Sequence, residues 1–132
     1  MGLKYLWDTN TAIYYLQKHF PQKQQELISN IINSYQPVIS VITEIELLCW
    51  KNATDSDLTI INNFVSDSVV FGLEEDIKRK TIEIRKKSNL KLPDAIIAAT
   101  AVANNLILIS RNEIDFKKVP KIDLLNPFII EN

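Results

Sequence analysis

Apolar positions along the chain alternate between short continuous runs and runs with helical spacing. Leu3 to Trp7 is a short apolar-rich run that stops at Asp8, and it predicts a buried strand. Ile13, Tyr14 and Leu16 follow at helical spacing, with Thr9 or Asn10 placed to cap that helix. After Pro21 a second helix is expected from about Gln24 to Ser34, with Leu27, Ile28, Ile31 and Ile32 on one face. Pro37 to Ile42 is rich in β-branched residues and predicts the second strand. Thr43 then opens a helix with an apolar stripe of Ile45, Leu48 and Cys49, and Thr54 or Asp55 opens another that runs to Phe64. Val69 to Phe71 predicts a third strand.

Glu74 to Asn89 reads as a long charged helix. Pro93 suits the first turn of the next helix, which runs through Asp94 to Asn104. The segment AIIAATAVA is apolar almost all round, so that helix must be buried. Leu106 to Ile109 and Ile122 to Leu125 complete the strands. Strands separated by helices imply an α/β fold in which a mostly parallel sheet is covered on both faces. In such sheets ligands bind beyond the carboxyl ends of the strands, which says where chemistry is to be sought.

A chain of 132 residues is expected to form one domain over 1–132. Its apolar and charged fractions, 46% and 23%, are ordinary for a globular protein, which argues against disorder. No apolar run reaches the roughly 18 residues of a membrane span. The opening MGLKYLWDTN is a poor signal peptide, so a soluble cytoplasmic protein without membrane contact is expected. With only Gly2 and Gly72, the chain has no GxGxxG or P-loop, and dinucleotide or P-loop chemistry is disfavoured. One cysteine, Cys49, excludes an internal disulfide. One histidine, His19, leaves too few ligands for zinc and reads as an exposed loop residue rather than a catalytic base. The net charge of −1 is unlike that of a stable nucleic-acid binder, although Lys78, Arg79, Lys80, Arg85, Lys86, Lys87 and Lys91 cluster in one stretch. A solvated helix face and a local RNA-binding patch both fit that cluster.

Candidate chemistry lies with the acids. Asp8 stands where the first strand ends, placed for a ligand or a helix cap. Glu44 and Glu46 begin the helix after the second strand, about 200° apart around its axis, so only one readily faces a given pocket. Asp94 lies in the first turn of the buried helix, where the dipole favours its ionised form and burial demands a partner. Asn112, Glu113 and Asp115 follow the fourth strand. Carboxylates converging at one end of a sheet repel, and a hard divalent cation such as Mg²⁺ resolves that repulsion. Hydrolysis of a phosphodiester by metal-activated water is the reaction this implies.

These residues resemble the PIN-domain family. Leu6-Trp7-Asp8-Thr9-Asn10 resembles its opening Asp motif, and Ile39 to Leu47 its second motif as found in VapC-type toxins, with the acidic position on Glu46. Leu92-Pro93-Asp94-Ala95 to Ala101 resembles the third and most specific motif, and Ile109 to Phe116 the fourth. The four occur in the family's order across nearly the whole chain. The resemblance implies a three-layer α/β/α PIN-like fold with a mostly parallel central sheet. It also implies a Mg²⁺ site, with Mn²⁺ as substitute, and endoribonuclease activity on tRNA or rRNA. VapC-type members are toxins of toxin–antitoxin systems, usually homodimeric and inhibited by a cognate antitoxin. By this likeness the catalytic and metal residues are Asp8, Glu46, Asp94 and Asp115, supported by Thr9, Asn10, Ser40 and Asn112. The chain departs from the pattern at Asn112, where many relatives carry Asp; Asp115, one helical turn on, is expected to fill the fourth acidic position, with Phe116 packed beneath.

Two other functions compete. A receiver-like phosphoacceptor domain needs paired acids after the first strand and an Asp after the third, whereas this chain offers Asp8 alone and Gly72-Leu73. A catalytically inactive PIN-fold interaction module is disfavoured by the presence of Asp8, Glu46 and Asp94. An antitoxin is expected to dock on the first two helices, around Ile13, Tyr14, Leu27 and Ile31.

Overall fold

A computed structural model describes residues 2–129. The expectation of one domain over 1–132 thus takes in Met1 and residues 130–132, which lie outside the described residues. The elements run β1 (Tyr5–Trp7), α1 (Thr9–Leu16), α2 (Gln22–Ser34), β2 (Val38–Ser40), α3 (Val41–Leu48) and α4 (Asp55–Asp67). They continue with β3 (Val69–Phe71), α5 (Glu75–Lys87), α6 (Leu92–Ala103), β4 (Ile107–Ile109), α7 (Glu113–Phe116) and β5 (Asp123–Leu125).

The strands form one sheet in the order β3-β2-β1-β4-β5, and every described pair is parallel. Strand alternation divides the core. Leu6, Val38 and Leu108 face one layer with the buried residues of α5, α6 and α7. Trp7, Ile39 and Ile109 face the other with α1, α2, α4 and Leu47 of α3. Leu6, Val38, Ile39, Leu108 and Ile109 are wholly buried, each removal from water favouring the fold by about 1.5–3 kcal/mol. This is the three-layer α/β/α arrangement expected from the alternation of elements. Ala95 to Ala101 of α6 are all buried, as an all-round apolar helix requires.

Several boundaries differ from the sequence reading. The second strand stops at Ser40 rather than Ile42, because the Ser40 hydroxyl accepts from Ile42 N and starts α3 two residues before Thr43. The cap of α1 is Asp8, not Thr9 or Asn10: its Oδ1 accepts from Thr11 N at 2.8 Å. The expected Ile45/Leu48/Cys49 stripe faces outward, with Ile45 52% and Leu48 43% exposed. Thr43 and Leu47 are buried instead. Apolar side chains surround this helix on several sides, so periodicity alone did not select the face that meets the sheet.

With so few glycines, helix ends use other residues in the left-handed region. Asn105 (φ 53°) follows α6, and Leu106 N donates back to Ala101 O at 2.9 Å. Lys18 (φ 57°) follows α1, with His19 N donating to Tyr14 O at 2.8 Å. Both closures satisfy carbonyls that the last helical turn leaves free.

Candidate active site

The parallel register brings the strand ends to one level: Trp7 lies opposite Ile109, and Ile109 opposite Leu125. The strand order turns back at β1, whose neighbours β2 and β4 connect to opposite sides, so a crevice opens at its carboxyl end. Asp8 is the first residue beyond β1 there. Asp8 N and Thr11 Oγ1 both donate to Ile109 O, at 3.3 and 2.9 Å, tying the start of α1 to the end of β4.

Asp8 is nearly buried, 8% exposed. Burial pushes its carboxyl above the ordinary range; hydrogen bonds from Ser110 and Thr11 pull it back, and the Glu46 charge adds to the rise. The capping and ligand readings of Asp8 are compatible, since one carboxylate oxygen caps α1 and leaves the other.

Asp94 lies in the first turn of α6 and is half-buried. Burial raises its carboxyl, and the charges of Glu46, Asp8 and Asp115 raise it further, against an opposing effect of Lys91. Four acids from four segments therefore share one electrostatic neighbourhood. Between the two glutamates of α3 the fold discriminates: Glu46 Oε1 accepts from the Thr9 hydroxyl at 2.7 Å and acts on both Asp8 and Asp94. The Thr9 hydroxyl beside Asp8 thus meets Glu46.

The segment after β4 curls into α7, as expected, and Phe116 is buried beneath it, 1% exposed. Asn112 caps α7 by accepting from Asp115 N at 3.3 Å, while its amide donates to Asp115 Oδ2 at 3.1 Å. Asn112 thus spends its carbonyl on the helix and holds the Asp115 carboxylate in place. Lys118 Nζ stands 3.9 Å from the other Asp115 oxygen. Asn10 is exposed at the rim, and Ser40 is wholly buried in its capping role.

The donors are hard oxygens throughout, suited to Mg²⁺ or Mn²⁺ rather than zinc. Among the described residues no three His, Cys, Asp or Glu side chains are grouped tightly enough to chelate one ion by themselves.

A cavity of about 660 Å³ opens beside Asp8, walled by Tyr14, Trp50 and Phe128 and bordered by Asn10 and Arg111. The Arg111 guanidinium lies 4.5 Å from the Phe128 ring centroid. His19 is exposed and lines the same cavity. Sequence reading missed Ser110 and Thr11 as partners of Asp8, and Arg111, Trp50 and Phe128 as neighbours. For Ser110 and Arg111 the signal was their position directly before Asn112. Phe128 lies outside all four motifs.

The profile of the PIN domain matches residues 5–122, which takes in every element but β5. The chain belongs to the PIN domain family. It is 27% identical over 128 residues to the tRNA(fMet)-specific endonuclease VapC of Salmonella typhimurium, covering 91% of this chain and 95% of that relative. Among solved structures, the DNA-bound VapBC from Salmonella typhimurium superposes with a TM-score of 0.79 at 25% identity, covering 95% of this chain and 98% of that one. A toxin–antitoxin complex from Klebsiella pneumoniae gives 0.74 at 28% identity, covering 96% of this chain and all of its counterpart. The matched span contains Asp8, Glu46, Asp94 and Asp115.

Proposed function

We propose that this PIN domain is a divalent-metal-dependent endoribonuclease, the toxin of a VapBC-type toxin–antitoxin system. The observation that carries the reading is the placement of Asp8 at the carboxyl end of β1, tied to the end of β4, with Glu46 held beside it by Thr9; Glu46, Asp8 and Asp115 each raise the Asp94 carboxyl. Neighbouring carboxylates repel, and the buried Asp8 is costly as an ion, unless a cation or protons neutralise them. Asp8, Glu46, Asp94 and Asp115 would hold Mg²⁺, or Mn²⁺ in its place, with waters completing the shell. When bound, such an ion supplies Lewis-acid activation of water and neutralises charge on the phosphoryl oxygens.

The chain's own residues prepare that chemistry. Thr9 fixes the Glu46 carboxylate, and Asn112 fixes that of Asp115. Ser110 and Thr11 stabilise the charged form of Asp8 against its burial. The crevice at the carboxyl ends of β1 and β4 admits an RNA strand to the exposed side of the carboxylates. The Salmonella relative is named for tRNA(fMet), and a tRNA or rRNA is the substrate class proposed here.

A cognate antitoxin is the proposed partner, since the relatives include a toxin–antitoxin complex. Ile31 is 7% exposed and offers it nothing. Half-buried Ile13 and Tyr14 line the cavity beside Asp8, so occupation of that cavity would close the site. The outward Ile45 and Leu48 of α3 are the proposed contact with a second copy. A homodimer in light scattering that Ile45→Glu converts to a monomer supports this contact, and an unchanged mass rejects it.

The deciding experiment incubates purified protein with total tRNA and rRNA in Mg²⁺, Mn²⁺ or EDTA. Cleavage at discrete sites that stops in EDTA is expected. EDTA-resistant cleavage by pure protein overturns the metal assignment, and no cleavage with either ion favours the inactive interaction module.

A further inference from the structure

α5 carries Lys78, Arg79, Lys80, Arg85, Lys86 and Lys87 in a chain whose net charge is −1. Part of this has a local reason. Lys78 pairs with Glu75 at 3.1 Å, and Lys80 with Glu83 at 3.0 Å. Cations in a last turn also complement the helix dipole. The last turn of α5 nevertheless gathers three adjacent cations with no acid among them. Among the described residues, Arg85, Lys86 and Lys87 make no ion pair. Arg85 instead donates to Leu90 O at 2.8 Å, which pins the link between α5 and α6.

The dipole does not account for a second contribution. Lys118, from the turn after α7, reaches the same place. Arg85, Lys86, Lys87, Ser88, Asn89 and Lys118 wall an open cleft of about 470 Å³, and no carboxylate is among these lining residues. The cleft belongs to the α5–α6–α7 layer, whereas the aromatic cavity beside Asp8 belongs to the other. It also adjoins the acidic site, because Lys118 approaches Asp115 Oδ1 at 3.9 Å. Lys91, three residues beyond Ser88, acts on Asp94.

We infer that this cleft binds the phosphate backbone of the RNA strand that runs away from the scissile bond. The inference rests on the nuclease reading above. An acidic site repels a polyanion, and a chain with no net positive charge gains no general attraction to offset this. A cationic cleft at the border of the site supplies that attraction locally and sets the direction of the strand. Lysine ammonium groups suit phosphates as point charges with three donors, and the Asn89 amide adds a neutral donor. Such contacts position a strand and carry no sequence information.

The test measures fluorescence anisotropy of a labelled single-stranded RNA in EDTA, at a series of salt concentrations. It compares wild type with a Lys86→Gln/Lys87→Gln double variant. A Lys23→Gln/Lys51→Gln variant, altered on α2 and after α3, makes the same change in net charge. Each phosphate contact contributes about 0.7 to the slope of log affinity against log salt for a single strand, so the cleft variant should lower that slope by about 1.4. Affinity at low salt should fall roughly tenfold. The control should keep wild-type binding. In Mg²⁺, KM for RNA should rise in the cleft variant while kcat stays constant. Unchanged affinity and slope in the cleft variant, or equal weakening in the control, overturns the inference. Loss of an acidic protein partner with RNA binding intact also overturns it. Wild type that binds RNA through the cleft and cleaves none removes the nuclease reading and leaves the cleft standing.

Discussion

The Thr9 hydroxyl donates to Glu46 Oε1 at 2.7 Å and lies 3.1 Å from the wholly buried Thr43 hydroxyl, joining the residue after Asp8 to the helix after β2. Glu46 is otherwise exposed, and an unrestrained glutamate would sample many rotamers. Thr9→Val should raise the Mg²⁺ concentration for half-maximal cleavage about 10- to 100-fold, the range for losing a residue that orients a ligand. It should also destabilise the fold by about 1–3 kcal/mol, since Thr43 loses its partner. Thr9→Ser should restore the metal dependence. A Thr9→Val enzyme with wild-type metal dependence removes Thr9 from this role.

Asp8→Asn and Asp94→Asn should each reduce cleavage at least about 100-fold and relieve growth inhibition at equal expression, because a lost ligand charge withdraws several kcal/mol of charge stabilisation. Asn keeps the shape and the Asp8 cap to Thr11 N. Normal toxicity in either variant counts against the site.

The raised carboxyls set a pH dependence with a definite sign. Asp94 and Asp8 hold their protons to higher pH in the folded protein than in the unfolded chain, where the ordinary value is 3.8. From that value up to the raised ones the folded state binds more protons, so their contribution to stability falls as pH rises through the window. In EDTA, Asp94→Asn should therefore melt higher than wild type near neutrality, and the gap should close toward pH 3.8. Mg²⁺ near neutrality should raise the Tm of wild type more than that of the variant. A lower Tm for Asp94→Asn in EDTA near neutrality contradicts the repulsion.

Asn112 and Asp115 act as a pair. Asp115→Asn should raise the half-maximal Mg²⁺ concentration. Asn112→Asp should lower it, and should also lower the metal-free Tm, because a carboxylate would then face the Asp115 oxygen now 3.1 Å from an amide. Calorimetric titration with Mg²⁺ reads both effects. Unchanged metal dependence in Asp115→Asn would leave Asp8, Glu46 and Asp94 as the set.

The cavity walled by Tyr14 and Trp50 gives the antitoxin hypothesis a defined target. Ile13→Lys should weaken inhibition by the antitoxin at least tenfold, about 1.4 kcal/mol, while the free variant still cleaves RNA. Inhibition that survives this change and Tyr14→Lys together places the contact elsewhere.

The sequence alone determined the order and type of the elements, because runs such as Leu106 to Ile109 and AIIAATAVA have no alternative but burial. It also placed Asp8, Asp94, the Glu44/Glu46 pair and the Asn112 to Asp115 stretch just after strands or near helix starts, where parallel α/β folds bind ligands. It left the choice between Glu44 and Glu46 open, since two residues about 200° apart on a helix are distinguished only by what the helix packs against. Packing made that choice by burying Thr43 and Leu47, which turned Ile45 outward and brought Glu46 to Thr9. The cavity beside Asp8 and the cleft beside Asp115 were likewise decided by the tertiary structure. Phe128 and Tyr14, or Lys87 and Lys118, are far apart in the chain, and only packing within one helical layer against the sheet sets each pair side by side.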